Sequence, residues 1–266
     1  MRFTLSALSL AQSMGRDFLY AWPQTDLFKP ALTNLWHFDH TEIPWAESVK
    51  INKTYPYVKD AEALNKADMV WHLRSGDAVT IPDGAPSWAQ RLRELIPAAV
   101  IQERVIDTFQ PLAGAPYVGV SIRTNHMAHA KTLKMSPIEW YIGRMNEIRQ
   151  SYSDVKFFIS CDVPEVQERL IATYPESVAL TDKGGYNSTE GVMASVVDTY
   201  LLASSSYILA PYWSSFPVLA WELSGRSIPI EDSCSGRKDF EIADSSLALN
   251  PLRPSDRREK TLKTIS

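Results

Sequence analysis

Along the first hundred residues the spacing of apolar positions keeps changing, and the elements it predicts are short. Residues 2–14 carry helical periodicity up to Gly15, the residue type that most readily ends a helix. Residues 17–22 (Asp-Phe-Leu-Tyr-Ala-Trp) read as a strand stopped by Pro23. From 24 to 80 the pattern is irregular, with a strand expected at 68–73 (Asp-Met-Val-Trp-His-Leu). Helical spacing returns over 87–109 and is interrupted at Pro97, which has no N–H to give to a helix. Pro111, Gly114 and Pro116 then make a turn-rich break, where a domain boundary is expected.

Beyond that break the order becomes regular. Strands are expected at 117–122, 155–160, 177–181, 207–210 and near 227–230, with helices at 137–150, 163–174, 189–204 and 215–224. Short apolar strands joined by helical connectors predict an α/β fold with a doubly wound parallel sheet covered on both faces. Ser136-Pro137-Ile138-Glu139 has the pattern of a capping box, and Asp162-Val163-Pro164-Glu165 repeats it with an aspartate cap. Asn187-Ser188-Thr189 fits a glycosylation sequon but reads as a cap for the helix that follows. Past 232 the chain turns to Ser, Asp, Arg and Lys, a tail expected to be mobile or strapped against the first domain. The division is therefore 1–112, 113–232 and a polar tail at 233–266.

Composition narrows the classes. Hydrophobic residues are 45% and charged residues 22%, which excludes a chain without a core. The net charge of −4 argues against nucleic acid as a partner, so an anionic ligand has to be caught by a few local groups. No stretch approaches the ~20 apolar residues of an integral membrane segment. The apolar opening, Phe3 to Ala11, is broken by hydroxyls and followed by no small-residue cleavage site, so it reads as an amphipathic helix rather than a leader. Cys161 and Cys234 make no disulfide framework, and the expected place is the cytoplasm, with peripheral contact at the inner membrane compatible with it.

In an open parallel sheet ligands bind at the carboxyl ends of the strands. Arg123, Thr124, Asn125 and His126 follow the strand at 117–122, Cys161 and Asp162 follow the next, and Tyr212-Trp213-Ser214-Ser215 opens a helix after 207–210. An arginine, hydroxyls and free N–H groups at a helix start suit a phosphate. Each also has an ordinary structural reading: Arg123 as a salt bridge to a neighbouring helix, Ser214, Ser215 and Asp162 as caps, His126 and His129 as loop surface. His37 and His40, near Asp39 and Glu42, have no third ligand cluster, so no metal site is expected. Gly-x-Gly-x-x-Gly, the P-loop, Asp-x-Asp and Gly-x-Ser-x-Gly are all missing.

These residues resemble the fucosyltransferase superfamily that includes nodulation-protein-Z-type α-1,6-fucosyltransferases and protein O-fucosyltransferases, and within it the small bacterial members. Tyr117-Val-Gly-Val-Ser-Ile-Arg123 is similar to the family's Val-Gly-Val-His-x-Arg strand, and Ser136-Pro-Ile-Glu-Trp-Tyr-Ile142 to the helix after it. Phe157-Phe-Ile-Ser-Cys-Asp162 is similar to the next strand, while Glu190 to Leu202 and Tyr212-Trp-Ser-Ser-Phe216 match the third block. The likeness is good over 117–230 and patchy over 1–112. It implies a GT-B architecture of two Rossmann-like lobes, with GDP-fucose held by the C-terminal one. Arg123 would neutralise the diphosphate. Ser121, Ser214, Ser215 and Phe216 would line the donor site, and Asp162 would read guanine. An acceptor hydroxyl of a glycan or glycolipid would attack in line, with inversion, no metal and no cofactor beyond the donor.

Three departures qualify the resemblance. The strand and Gly-x-Gly-Asn loop that open family members have no counterpart here, so the N-terminal lobe is expected to lack its first strand. The motif histidine is Ser121, which reaches less far and carries no charge. Where relatives read Arg-Arg-Thr-Asp, this chain has Arg123-Thr124-Asn125-His126, which makes His126 the candidate base. Two other readings fit the same residues: a non-catalytic relic that binds sugar nucleotide or glycan, and a GT-B transferase using another sugar nucleotide.

Overall fold

In a computed structural model that describes residues 1–25, 28–125, 129–236 and 247–258, the chain divides into two compact units, Met1–Ile96 and Pro97–Ser266. The first begins with α1 (Arg2–Ser13), followed by Gly15 at φ 62°. One face of α1 carries Leu5, Leu8 and Leu10 into the core. The hydroxyls that interrupt its apolar run have partners. Ser6 Oγ, for example, accepts the buried N–H of Val79 at 3.0 Å. β1 (Leu19–Tyr20) pairs in parallel with β3 (Thr41–Glu42), and β2 (Trp36–His37) lies between them in sequence. α2 (Trp45–Thr54), α3 (Trp88–Glu94) and β4 (Ile96–Pro97) complete the unit.

The strand expected at 68–73 does not form. Arg16 Nη2 takes the carbonyls of Asp68 and Met69 at 2.8 and 2.6 Å, so a side chain occupies acceptors that a ladder would need. Only a bridge between Val58 and Leu73 remains. The break at Pro97 does occur: helix resumes as α4 (Ala99–Phe109), which belongs to the second unit.

That unit holds β5 (Tyr117–Ile122), α5 (Ala130–Met135), α6 (Ile138–Ser151), β6 (Lys156–Cys161), α7 (Pro164–Thr173), α8 (Thr189–Ser204), β7 (Tyr207–Ala210), α9 (Ser215–Leu223) and β8 (Ile230–Asp232). The four strands form one parallel sheet in the order β6-β5-β7-β8. β5 is buried along its whole length, as near-continuous apolar parallel strands are. Val118, Val120 and Ile122 pack with Tyr141, Met145 and Ile148 of α6 and Leu170 of α7. The alternate residues face α8. A Cβ on Gly119 would lie 2.9 Å from Leu202 Cδ2, so strand and helix touch almost backbone to side chain. Arg144 of α6 reaches buried Glu231 of β8 at 3.0 Å.

The fifth strand, expected at 177–181, shrinks to a single bridge in which Val178 pairs beside Phe158. Only Val178 exchanges ladder hydrogen bonds, with Phe157 O and Ile159 N, before the chain leaves toward Gly184 and Asn187 at positive φ. Strand 227–230 shifts to β8 because Pro229 has no N–H, although its carbonyl accepts from Ile208 at 2.9 Å. The described part of the tail straps the second unit rather than the first. Arg257 Nη2 donates to Ala203 O and Ser205 O at the end of α8, at 2.6 and 2.9 Å. Among the described residues no helix is long and apolar enough to cross a membrane.

Candidate active site

Parallel strands end on the same side, so one edge of the sheet collects the loops that follow β5, β6 and β7. The chain runs from β5 out to β6 and then returns past it to β7. The loops after β5 and β7 therefore diverge and leave a crevice, the place where open α/β sheets take ligands.

Arg123 stands at one wall of that crevice. Its Nε lies 3.3 Å from Asp162 Oδ2, with the arginine side chain 32% exposed and the aspartate 10%. Among the described residues its terminal nitrogens make no hydrogen bond, which leaves a planar fork of donors available to an anion. Asp162 Oδ1 accepts the backbone N–H groups of Thr124 and Asn125 at 2.8 and 3.2 Å. The expected cap on α7 is thus absent, since Val163 is the N-cap and no side chain bonds there. Two adjacent N–H groups offer a carboxylate more than the single bond of a cap, and the result is a fixed loop beneath Arg123.

The opposite wall is the loop after β7. Trp213 sits at φ 62°, a strained conformation for a bulky residue, and its side chain is 61% exposed. Contacts from α5 and its flank hold it there: Thr132 Oγ1 donates to Trp213 O at 3.3 Å, and Lys131 Nζ lies 4.0 Å from the centre of the indole. Ser136, expected to cap a helix, instead accepts the N–H of Tyr212 at 2.8 Å and bonds Ser233 at 3.0 Å. α6 begins after Pro137 with no side-chain cap. α9 then opens with Ser214 as N-cap, but the Ser214 hydroxyl makes no cap bond. The N–H groups of Ser214, Ser215 and Phe216 are the unpaired donors of this helix start, and Pro217 contributes none.

Behind the crevice, Ser121 and Ser160 are register partners on β5 and β6, both buried. Ser160 Oγ donates to Asp198 Oδ2 of α8 at 2.6 Å, and Lys183 Nζ reaches the same oxygen at 2.7 Å. Asp198 is 4% exposed, and its Oδ1 has no hydrogen-bond partner. Burial pushes the pKa of the Cys161 thiol, at the end of β6, upward, which favours its protonated form.

No family model matches the sequence, and no curated protein matches it. Solved structures do. The crystal structure of fucosyltransferase NodZ from Bradyrhizobium matches with a TM-score of 0.54 and 18% identity, over 82% of this chain and 86% of that one. NodZ α-1,6-fucosyltransferase soaked with GDP-fucose gives 0.55 and 18%, over 83% and 86%. The same enzyme co-crystallized with GDP gives 0.52 and 16%, over 82% and 85%. The chain has the NodZ fold.

Within the NodZ fold, sequence reasoning gathered Ser121, Arg123, Asp162, Ser214, Ser215 and Phe216 at one end of one sheet. His126 lies outside the described residues. His129 caps α5, its Nδ1 accepting from Lys131 N at 3.2 Å. Ser188 does cap α8, accepting from Gly191 N at 3.0 Å. Asp198 and Lys183 went unassigned, and Ser136 was assigned only a capping role. The signal for Asp198 was present: a lone charge among Val196, Val197, Tyr200, Leu201 and Leu202 marks a buried carboxylate with a specific task. His37 and His40 belong to the first unit, where His40 lines an open groove of ≈ 570 Å³ with Asp17, Phe18 and Asp39, and both line a smaller one of ≈ 150 Å³. Among the described residues no three His, Cys, Asp or Glu groups gather to hold a metal.

Proposed function

We propose that this chain is a GT-B-type fucosyltransferase that holds GDP-fucose at the carboxyl end of the second unit's sheet. It transfers fucose to a hydroxyl of a glycan or glycolipid. What supports the proposal is the strand order, which makes the loops after β5 and β7 diverge, with Arg123 and its open fork following β5 and the N–H groups that begin α9 following β7. NodZ structures of this fold were obtained with GDP and with GDP-fucose.

The chemistry follows from charge. As the bond between fucose C1 and the β-phosphate oxygen breaks, its electron pair stays with GDP, and the diphosphate gains negative charge. Arg123 and the α9 N–H groups meet that charge where it develops, which lowers the barrier. This supplies the stabilisation without calling on a metal. The acceptor oxygen attacks C1 from the opposite side, so the configuration inverts, and its proton passes to His126. Base recognition is assigned to Asp198 rather than to Asp162, whose Oδ1 takes the N–H groups of Thr124 and Asn125 and whose Oδ2 faces Arg123 Nε. The unpaired Oδ1 of Asp198 suits the ring N–H and the neighbouring exocyclic amino group of guanine.

Calorimetric titration with GDP, GDP-fucose and UDP, with and without EDTA, tests this. GDP binds better than UDP, EDTA changes nothing, and Arg123→Ala weakens GDP by about 1.5–3 kcal/mol, the usual worth of a charge-assisted hydrogen bond. Equal affinity for GDP and UDP, or an Arg123→Ala variant that binds as before, overturns the assignment.

A further inference from the structure

Asp198 and Lys183 form an ion pair that is only half complete. A purely structural pair in this setting would have both carboxylate oxygens satisfied, since a buried acceptor left bare is destabilising. Here Oδ2 takes both Ser160 Oγ and Lys183 Nζ, while Oδ1 takes nothing. The ammonium is also underused. Of its three donors, one goes to Asp198 and one to Cys161 O at 3.3 Å, so among the described residues one remains.

The two groups differ in depth. The Lys183 side chain is 22% exposed and that of Asp198 5%, so whatever approaches the carboxylate from solvent meets the ammonium first. The backbone under Lys183 is held in place. A Cβ on Gly191 would stand 2.2 Å from Gly185 O, and one on Gly184 would stand 2.6 Å from Glu190 Cβ. The 183–185 segment is therefore pressed onto the first turn of α8, which fixes the start of the lysine stem.

We infer that Lys183 is a specificity-determining residue that donates a hydrogen bond to a carbonyl oxygen on the ligand's base, beside the N–H that Asp198 accepts. The pair is the complement of an edge that presents a carbonyl next to a ring N–H, as the six-membered ring of a 6-oxopurine does. The inference rests on the donor site proposed above and adds the residue that reads the carbonyl. Lys183 also holds Asp198, and the donor that neither Asp198 nor Cys161 takes is the one offered to the base.

The test compares GDP with 6-thio-GDP, which keeps both N–H donors of guanine and replaces the carbonyl oxygen with a poorly accepting sulfur. Wild-type chain binds GDP about ten-fold more tightly than the thio analogue. Lys183→Met weakens GDP by about that factor and the analogue by less than two-fold, so the preference disappears. Lys183→Gln, which keeps an N–H donor, retains part of it, and serves if the methionine variant does not fold. Equal losses for both ligands would make Lys183 a structural counterion and overturn the inference while GDP binding stands. A wild-type chain that binds neither ligand overturns the donor site and this reading with it.

Discussion

At the scale of single residues, the candidate site depends on side chains that hold backbone rather than ligand. Ser136 is one. Its hydroxyl is 2% exposed and is the partner of the Tyr212 N–H, in the loop that delivers Trp213 at positive φ. Ser136→Ala strands that N–H and should cost about 1–3 kcal/mol of stability. It should also weaken GDP binding several-fold while leaving the guanine-over-uracil preference intact, because Ser136 bonds Tyr212 and Ser233 and neither Asp198 nor Lys183. Urea unfolding and the same titrations read both quantities, and a variant with wild-type values for both removes Ser136 from the site's support. Arg123 was legible in the sequence because its place after a strand is local information. Asp162 was legible as a residue at the right end of the sheet, but not its partner. Ser136 and Asp198 were not legible in role, since the groups they bind are 76 and 38 residues away in the chain and nothing short-range encodes the meeting.

At the scale of elements, β5 and α8 are the pair on which the site is built, and Gly119 sets their separation. Its missing side chain lets Leu202 Cδ2 come within 2.9 Å of where a Cβ would stand, closer than a Cβ tolerates, and Ser205 Oγ within a tight 3.0 Å. Gly119→Ala should therefore destabilise the chain by about 1–3 kcal/mol through overpacking, visible as a lower urea midpoint with an unchanged slope. An unchanged midpoint would mean that helix and strand have room to separate. β5, α8 and β7 have the limits that apolar runs and turn residues predicted, because β5 and β7 are buried throughout and α8 over its second half, which makes their patterns unambiguous. The segments at 68–73 and 177–181 have equally apolar sequences and failed as strands. Whether such a run becomes a strand is decided by a neighbour's free backbone, and in the first case Arg16 had already taken the carbonyls.

At the scale of the whole molecule, the second unit is closed by its own distal segment. Arg257 is largely buried, and burial lowers its pKa to about 10, so its charge is maintained at a cost that the carbonyls of Ala203 and Ser205 offset. These carbonyls are the unpaired acceptors that every helix end presents, and a cation beside them also suits the helix dipole. Arg257→Ala should remove about 2 kcal/mol and lower the melting temperature by roughly 4–8 °C. A melting curve that does not move would show the segment to be ornamental. The strap also sets a timetable. Ser205 leaves the peptidyl-transferase centre 52 residues ahead of Arg257, an interval of roughly 3–10 s at ordinary rates of synthesis. Over that interval β7, α9 and β8 are still being added while α8 lacks its cation, so the helix end is completed only after the strap is translated, and a chain stalled before residue 257 carries an unfinished helix end within reach of chaperones and proteases.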